Sequence, residues 1–330
     1  MSLETKEVCI AVIGTGGVGS VFINQLANLH KTYPVSLHLI YIAMVDKALY
    51  HSNYSNINIG TAVDTMEKKG VAPPNFSSVI DYLKGAPGRV IVGDNTSSYE
   101  LWESITNAAK EGDSFIFHES SVGAGMPAIS ILQEMVETGD EITRIEGVFS
   151  GTMSHLFHNY STTSGNSGGN WSETVRQAKN LGYTEPDPRD DLNGLDVACK
   201  VTIPARIAGC PIESPTSFPV ESLILKELES TKRGDVFLQK LPAFDQQMQD
   251  RKLKAEKQGK VLRYIDSVDI ASGKATVGLQ MLDKSHPIAN LKGSDNLISF
   301  YTKRYNQLPL TIRGAGAGVN VTAIGITGDC

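Results

Sequence analysis

The stretch Val8-Cys9-Ile10-Ala11-Val12-Ile13-Gly14-Thr15-Gly16-Gly17-Val18-Gly19 decides the fold. Six apolar, largely β-branched residues read as a strand, and the glycines that follow read as a turn. Val21, Phe22, Leu26 and Leu29 then repeat at the spacing of one buried helix face. In the pattern GxGxxG the first glycine permits the tight turn and the second lets a pyrophosphate approach the backbone. The third allows close packing of helix on strand. The helix start adds unpaired N–H groups and the positive end of the helix dipole. The pattern alone also fits a glycine-rich turn with no ligand, so its place between strand and helix carries the argument.

Working outward, Val35–Met44 is a second strand whose near-continuous apolar character suits a parallel sheet covered on both faces. Its end, Ala43-Met44-Val45-Asp46-Lys47, puts Met44 where an acidic residue would accept the ribose hydroxyls of NAD. Lys47 reads either as a partner for the 2′-phosphate of NADP or, with Asp46, as a solvated charge. Residues 52–76 read as a long connection with one short helix. Ser77–Lys84 is a helix ended by Gly85, Arg89–Gly93 a third strand, residues 99–111 a helix, and Ser114–Ser120 another strand.

The second half changes character. Ile142–Phe149 alternates as a strand wet on one side, and residues 161–170 are a polar loop. A helix over 171–181 is capped by Gly182, and Lys226–Lys260 is largely helical and highly charged. Val261–Ile270 and Ala275–Met281 form a hairpin around Ser272-Gly273. Leu297–Tyr305 and Leu308–Ile312 add sheet. An α/β part followed by an α+β part implies two domains.

Composition narrows the function. The 330 residues, 41% hydrophobic and 20% charged, belong to an ordinary globular protein. A net charge of −6 argues against a nucleic-acid partner. The four cysteines, Cys9, Cys199, Cys210 and Cys330, are too scattered for a zinc site or a disulfide scaffold. No long apolar run or signal-like start occurs, so the expected setting is the cytoplasm without a membrane.

A helix beginning at Leu192 holds the most informative side chains. At about 100° per residue, Leu192, Asp196, Cys199, Lys200, Ile203 and Ile207 share one stripe. Asp196 and Lys200 therefore sit one turn apart on an apolar face. They read either as a surface i,i+4 salt bridge or as an ammonium held by a carboxylate, able to protonate an alkoxide as hydride arrives. The preceding loop, Tyr183 to Asp191, clusters acceptors that suit a substrate ammonium, and Asp190 or Asp191 is expected to cap the helix. Gly314-Ala315-Gly316-Ala317-Gly318 offers a second close approach of backbone to ligand. His118 to Gly125 reads as an ion or ligand loop, or as a tight connection.

Together AVIGTGGVG, DNTSS, HESSVGAGMP, EGVFSGTMSH, LGYTEPDPRDDLNGLDV, ESPTSFPVESL, SHPIANLKGSDN and GAGAGVNVTAIG resemble homoserine dehydrogenase in its short fungal form, across nearly the whole chain. The resemblance implies reduction of L-aspartate 4-semialdehyde to L-homoserine with NADP or NAD, on the route to threonine, isoleucine and methionine. It implies a Rossmann-type dinucleotide-binding domain over 1–118, an α+β substrate and dimerisation domain over 119–305, and a segment 306–330 returning to the first. A homodimer is expected. Lys200 matches the proton donor, with Asp196 beside it. Glu185, Asp191, Tyr183, Thr152 and Gly151 match substrate-binding positions. Gly14, Thr15, Gly16, Gly17, Val18, Gly19, Thr96, Gly182 and Gly318 match positions at the dinucleotide. A monovalent cation, sodium, would take backbone oxygens of Glu119, Val122, Ala124 and Met126, all hard ligands.

One departure stands out. Between DNTSS and HE the family has a further helix and a strand ending in a Thr-Pro-Asn-Lys-Lys turn. Here Ser98 runs directly into YELWESITNAAKEGDSFIFHE. A couple of dozen residues are absent, including a lysine expected near nicotinamide and substrate. The alternative this raises is an impaired homologue or splice product that binds dinucleotide or a dimer partner without turnover.

Overall fold

The computed structural model describes residues 7–32, 36–94, 107, 111, 117–164 and 169–329. They divide into two compact units, one running to Ser120 and resuming at Gly318, the other spanning Ser121–Ala317.

In the first unit, β1 (Glu7–Ile13), β2 (Ser36–Ala43), β3 (Ala48–Tyr50) and β4 (Arg89–Asp94) form a sheet of order β3-β2-β1-β4. β1 pairs in parallel with β2 and β4, while β3 folds back antiparallel on β2. Alternate residues of β1 serve two cores. Ile10 and Val12 pack with Phe22, Ile23 and Leu26 of α1 (Gly17–Thr32), and Cys9 and Ala11 pack with Val79 of the opposite layer. A strand buried on both faces has no polar side, which is why its sequence lacks alternation. The connection after β3 carries α2 (Ala62–Lys69), then α3 (Phe76–Lys84), whose start is capped by the Asn75 side chain accepting from the Ser78 N–H. The C-terminal helix (Val319–Asp329) closes this unit, with Ala323 buried in the α1 core and Thr327 bonded to Gln25. This is a Rossmann-type half-fold. The expected helix over 99–111 and most of the strand over 114–120 lie outside the described residues.

The second unit is an antiparallel sheet of order β7-β6-β5-β8-β9. Its strands are β5 (Ile142–Val148), β6 (Lys260–Asp269), β7 (Lys274–Asp283), β8 (Asp295–Thr302) and β9 (Leu310–Ala315). Its longer helices are α4 (Ile129–Glu137), α5 (Gly151–Tyr160), α6 (Trp171–Asn180), α7 (Leu195–Ile207) and α8 (Asp245–Lys257), with shorter ones at Lys226–Glu229 and Gly234–Lys240. Phe149, Phe157, Trp171, Val201, Leu262 and Tyr264 lie at the heart of the core they share with the sheet. β9 pairs with β8, so the chain leaves this unit after Ala317, later than the boundary expected at 305. No helix among the described residues is long and apolar enough to cross a membrane.

The helix expected from Leu192 begins instead at Leu195. Arg189–Leu192 makes a separate helical turn, and Gly194, at φ 76°, breaks the path between them. A Cβ at Gly194 would collide with the Tyr264 hydroxyl, so glycine is required for space as well as for conformation. The buried stripe of α7 is also displaced from the expected one, running through Val197, Ala198, Val201 and Ala205. Asp196 and Lys200 occupy the neighbouring, more open face, with side chains 56% and 30% exposed.

Candidate active site

In the first unit the glycine loop has the geometry a dinucleotide requires. Gly14 turns at φ 85°, and both its N–H and that of Thr15 donate to the Ala43 carbonyl, at 2.9 and 3.1 Å. That pair ties the loop to the end of β2. A Cβ at Gly16 would meet nothing within 4 Å, so a ligand can approach the backbone there. Gly17 opens α1 against Val319, whose Cγ1 would lie 3.1 Å from an added Cβ, and Val18 and Gly19 complete the first turn. Gly318, at φ 121°, precedes the C-terminal helix in this unit. These residues fit a pyrophosphate at the start of α1. Thr96 lies outside the described residues. Met44 stands exposed after β2, and Lys47 donates to the Glu67 carbonyl at 3.0 Å.

In the second unit the predicted substrate residues converge on the start of α7. The Nζ of Lys200 lies 2.8 Å from Oδ2 of Asp196. Asp191 caps no helix. Its Oδ2 accepts from the Glu185 N–H at 2.8 Å, holding the acidic loop closed, while the Asn193 side chain accepts from the Leu195 N–H. Burial pushes the Asp191 carboxyl up. The Glu185 N–H and the Thr152 hydroxyl act the other way, and the charges of Glu185 and Asp196 add to the rise. Thr152 donates to the Tyr183 carbonyl at 2.6 Å, bringing the start of α5 to the same loop. Gly151 opens α5, and a Cβ there would crowd the Ser294 carbonyl at 3.2 Å. Three carboxylates, one ammonium and a helix start thus share this part of the second unit.

Gly182 follows α6 at φ 76°, in the second unit rather than with the glycine loop. Of the cation positions, Glu119 belongs to the first unit, in a short helical turn. Val122, Ala124 and Met126 belong to the second, where Gly123 and Ala124 curl at φ 77° and 59°. Among the described residues no three His, Cys, Asp or Glu side chains cluster to hold a metal.

Three residues escaped the sequence reading. His155 stacks on Tyr183 with ring centroids 3.8 Å apart, and burial holds its imidazole below the usual range, with His158 adding to the effect. Asn296 is fully buried against Gly316 with neither amide atom hydrogen-bonded. Asp266 is buried on β6 facing α7. The first two fall in stretches quoted above, and only their pairing in space distinguishes them. Asp266 shares its strand with Lys260, Arg263 and Asp269, so only its burial distinguishes it.

Against known proteins, the homoserine dehydrogenase family profile matches residues 127–330. The homoserine dehydrogenase of Emericella nidulans is 48% identical over 365 aligned positions that take in 98% of each chain. The chain belongs to the homoserine dehydrogenase family. The Saccharomyces cerevisiae homoserine dehydrogenase is 44% identical, covering 99% of this chain and 98% of its own. That alignment runs over 357 positions, more than the 330 residues here, so the relative carries residues with no counterpart in this homoserine dehydrogenase. A Candida auris protein of known structure matches at 40% identity with a TM-score of 0.92, covering 98% of this chain and 97% of that one. A mutant of a hyperthermophilic archaeal homoserine dehydrogenase, solved in complex with NADPH, shares the fold at 21% identity and a TM-score of 0.69, covering 98% of this chain and 96% of that one. The comparisons favour the homoserine dehydrogenase enzyme over the non-catalytic alternative.

Proposed function

We propose that the second unit binds L-aspartate 4-semialdehyde at the acidic loop and that Lys200 protonates its carbonyl oxygen as L-homoserine forms. The observation that carries this is the Asp196–Lys200 pair at 2.8 Å on the open face of α7, beside the closed Glu185–Asp191 loop. A reduced nicotinamide dinucleotide, NADPH or NADH, supplies the hydride when bound at the glycine loop of the first unit. Asp191 and Glu185 take the substrate ammonium, with the Tyr183 backbone and Thr152 shaping the mouth. The start of α5 at Gly151 presents its positive end to the substrate carboxylate. Asp196 holds the Lys200 ammonium in position, so that the proton passes from Nζ to the oxygen on which negative charge develops. In the oxidative direction the same amine takes the hydroxyl proton of homoserine.

The wider assignments follow from the family resemblance. Sodium at the carbonyls of Glu119, Val122, Ala124 and Met126, a homodimer built through the second unit, and a cytoplasmic location all belong to this reading. The positive-φ curl at Gly123 and Ala124 turns successive carbonyls and supports the cation loop. The direct test is NADPH oxidation with aspartate semialdehyde, run beside a fluorescence titration of NADPH. Turnover supports the reading, and dinucleotide binding without turnover returns the chain to the non-catalytic alternative.

A further inference from the structure

Two side chains one turn apart on α5, Thr152 and His155, meet the same residue of the acidic loop. Thr152 donates to the Tyr183 carbonyl at 2.6 Å, and the His155 ring lies on the Tyr183 ring with centroids 3.8 Å apart and planes 17° from parallel. The Tyr183 N–H donates to the Ala178 carbonyl of α6 at 2.9 Å. Its backbone is thereby fixed on two sides, while its side chain stays 39% exposed with the imidazole against it. Two residues on, the Glu185 N–H closes on the Asp191 carboxylate. The nitrogens of His155 hold it loosely. Nε2 stands 3.4 Å from the Asn159 amide, and Nδ1 is buried with no hydrogen-bond partner among the described residues. The contact is therefore made by the face of the ring. Burial, then the charge of His158, keeps the imidazole below its usual range, so at neutral pH it brings no positive charge to a loop proposed to take an ammonium.

We propose that His155 is a positioning residue for substrate binding, its face fixing the Tyr183 ring so that the acidic loop keeps the shape in which Glu185 and Asp191 take the substrate ammonium. The inference rests on the placement of the substrate at that loop. A half-exposed tyrosine that sampled several rotamers would lose that freedom each time substrate bound. Stacking it beforehand on an aromatic partner removes the cost. The effect therefore falls on affinity and not on the chemical step.

The test is calorimetric titration of L-homoserine into the NADPH-bound protein, a pair that cannot react because both are already reduced, beside kcat and KM for semialdehyde. His155→Ala is expected to weaken L-homoserine binding and raise KM about three- to tenfold, with kcat and NADPH affinity within about twofold. His155→Phe keeps an aromatic face without the nitrogens and is expected to restore both. His155→Leu fills the space without such a face and serves if the alanine variant does not fold. Unchanged binding in the aliphatic variants overturns the proposal, as does a phenylalanine variant as weak as they are, or a loss confined to kcat. Tyr183→Leu is measured alone and with His155→Ala. A double variant no weaker than Tyr183→Leu supports the two rings acting as one unit, and additive losses overturn it. If Tyr183→Leu leaves L-homoserine affinity unchanged, the placement of the substrate fails; if it weakens binding while His155→Ala does not, only the role of His155 fails.

Discussion

The glycine loop of the first unit and the acidic helix of the second solve opposite problems. The loop recognises its ligand by removing side chains. Gly14 is there for a positive φ, Gly16 for open space, and Gly17 for an approach to Val319. The helix of the second unit works by adding side chains where folding alone would not place them. Asp191 is held up by burial, and Asp196 and Lys200 share an open face. Backbone recognition tolerates little change in shape and is indifferent to pH. Side-chain recognition tolerates changes in shape but depends on protonation. A substitution in either region should therefore leave a different signature.

The sharpest expected contrast is Lys200→Ala. Loss of a positioned general acid costs about 10²–10⁴-fold in kcat, and NADPH affinity measured by fluorescence should not change. Weaker NADPH binding in this variant would break the separation of roles. Next in size is Asp191→Asn. Removing the charge proposed to meet the substrate ammonium costs about 1.5–3 kcal/mol, or about 10–100-fold in KM for semialdehyde. Asp191 also predicts a pH signature. Its raised carboxyl stays protonated to higher pH than an ordinary aspartate, so KM should rise on acidification before ordinary carboxylates titrate. A KM that is flat down to the ordinary carboxylate range would remove Asp191 from substrate binding. Smaller again is Gly14→Ala, which forces a Cβ into φ 85° at a cost of about 1–3 kcal/mol. Here NADPH binding should weaken while the substrate KM holds, the mirror image of the Asp191 result.

Much of this contrast is legible in the sequence, for a physical reason. A parallel strand followed by GxGxxG is a local signal, its glycines within a few residues of one another, and β1 and α1 lie where periodicity puts them. The α7 region is different. The Asp196–Lys200 spacing is a local property and is readable, but the helix start at Leu195 depends on Gly194 fitting under Tyr264, seventy residues later. The buried stripe was misplaced because the apolar count of α7 hides which side meets the sheet. β3 and the turn at Arg189–Leu192 are too short to leave a periodic signal. Asp266, His155 and Asn296 become notable only through burial and partners, and neither is written in the local sequence. The expected gap after Ser98 falls on residues outside those described. The alignment with the yeast relative supports missing residues without locating them.

The smallest expected effect lies in the first unit and tests whether it is as indifferent to pH as its glycine loop. Asp329, in the C-terminal helix, accepts from the Glu119 N–H at 3.0 Å, and burial pushes its carboxyl up to about 6. An aspartate titrates near 3.9 in the unfolded chain, so between about 4 and 6 the folded state binds more protons than the unfolded one. Its contribution to stability is therefore complete below about pH 4 and is lost as pH rises through about 6. Asp329→Asn, neutral at every pH and still able to accept from Glu119, should remove that slope. At pH 7.5 the variant should be more stable by about 1–2 kcal/mol. Calorimetric Tm values at pH 5 and 7.5 read the difference directly. Equal slopes in both proteins would mean that the charge on Asp329 is solvated, and that its burial does not make the first unit sensitive to pH.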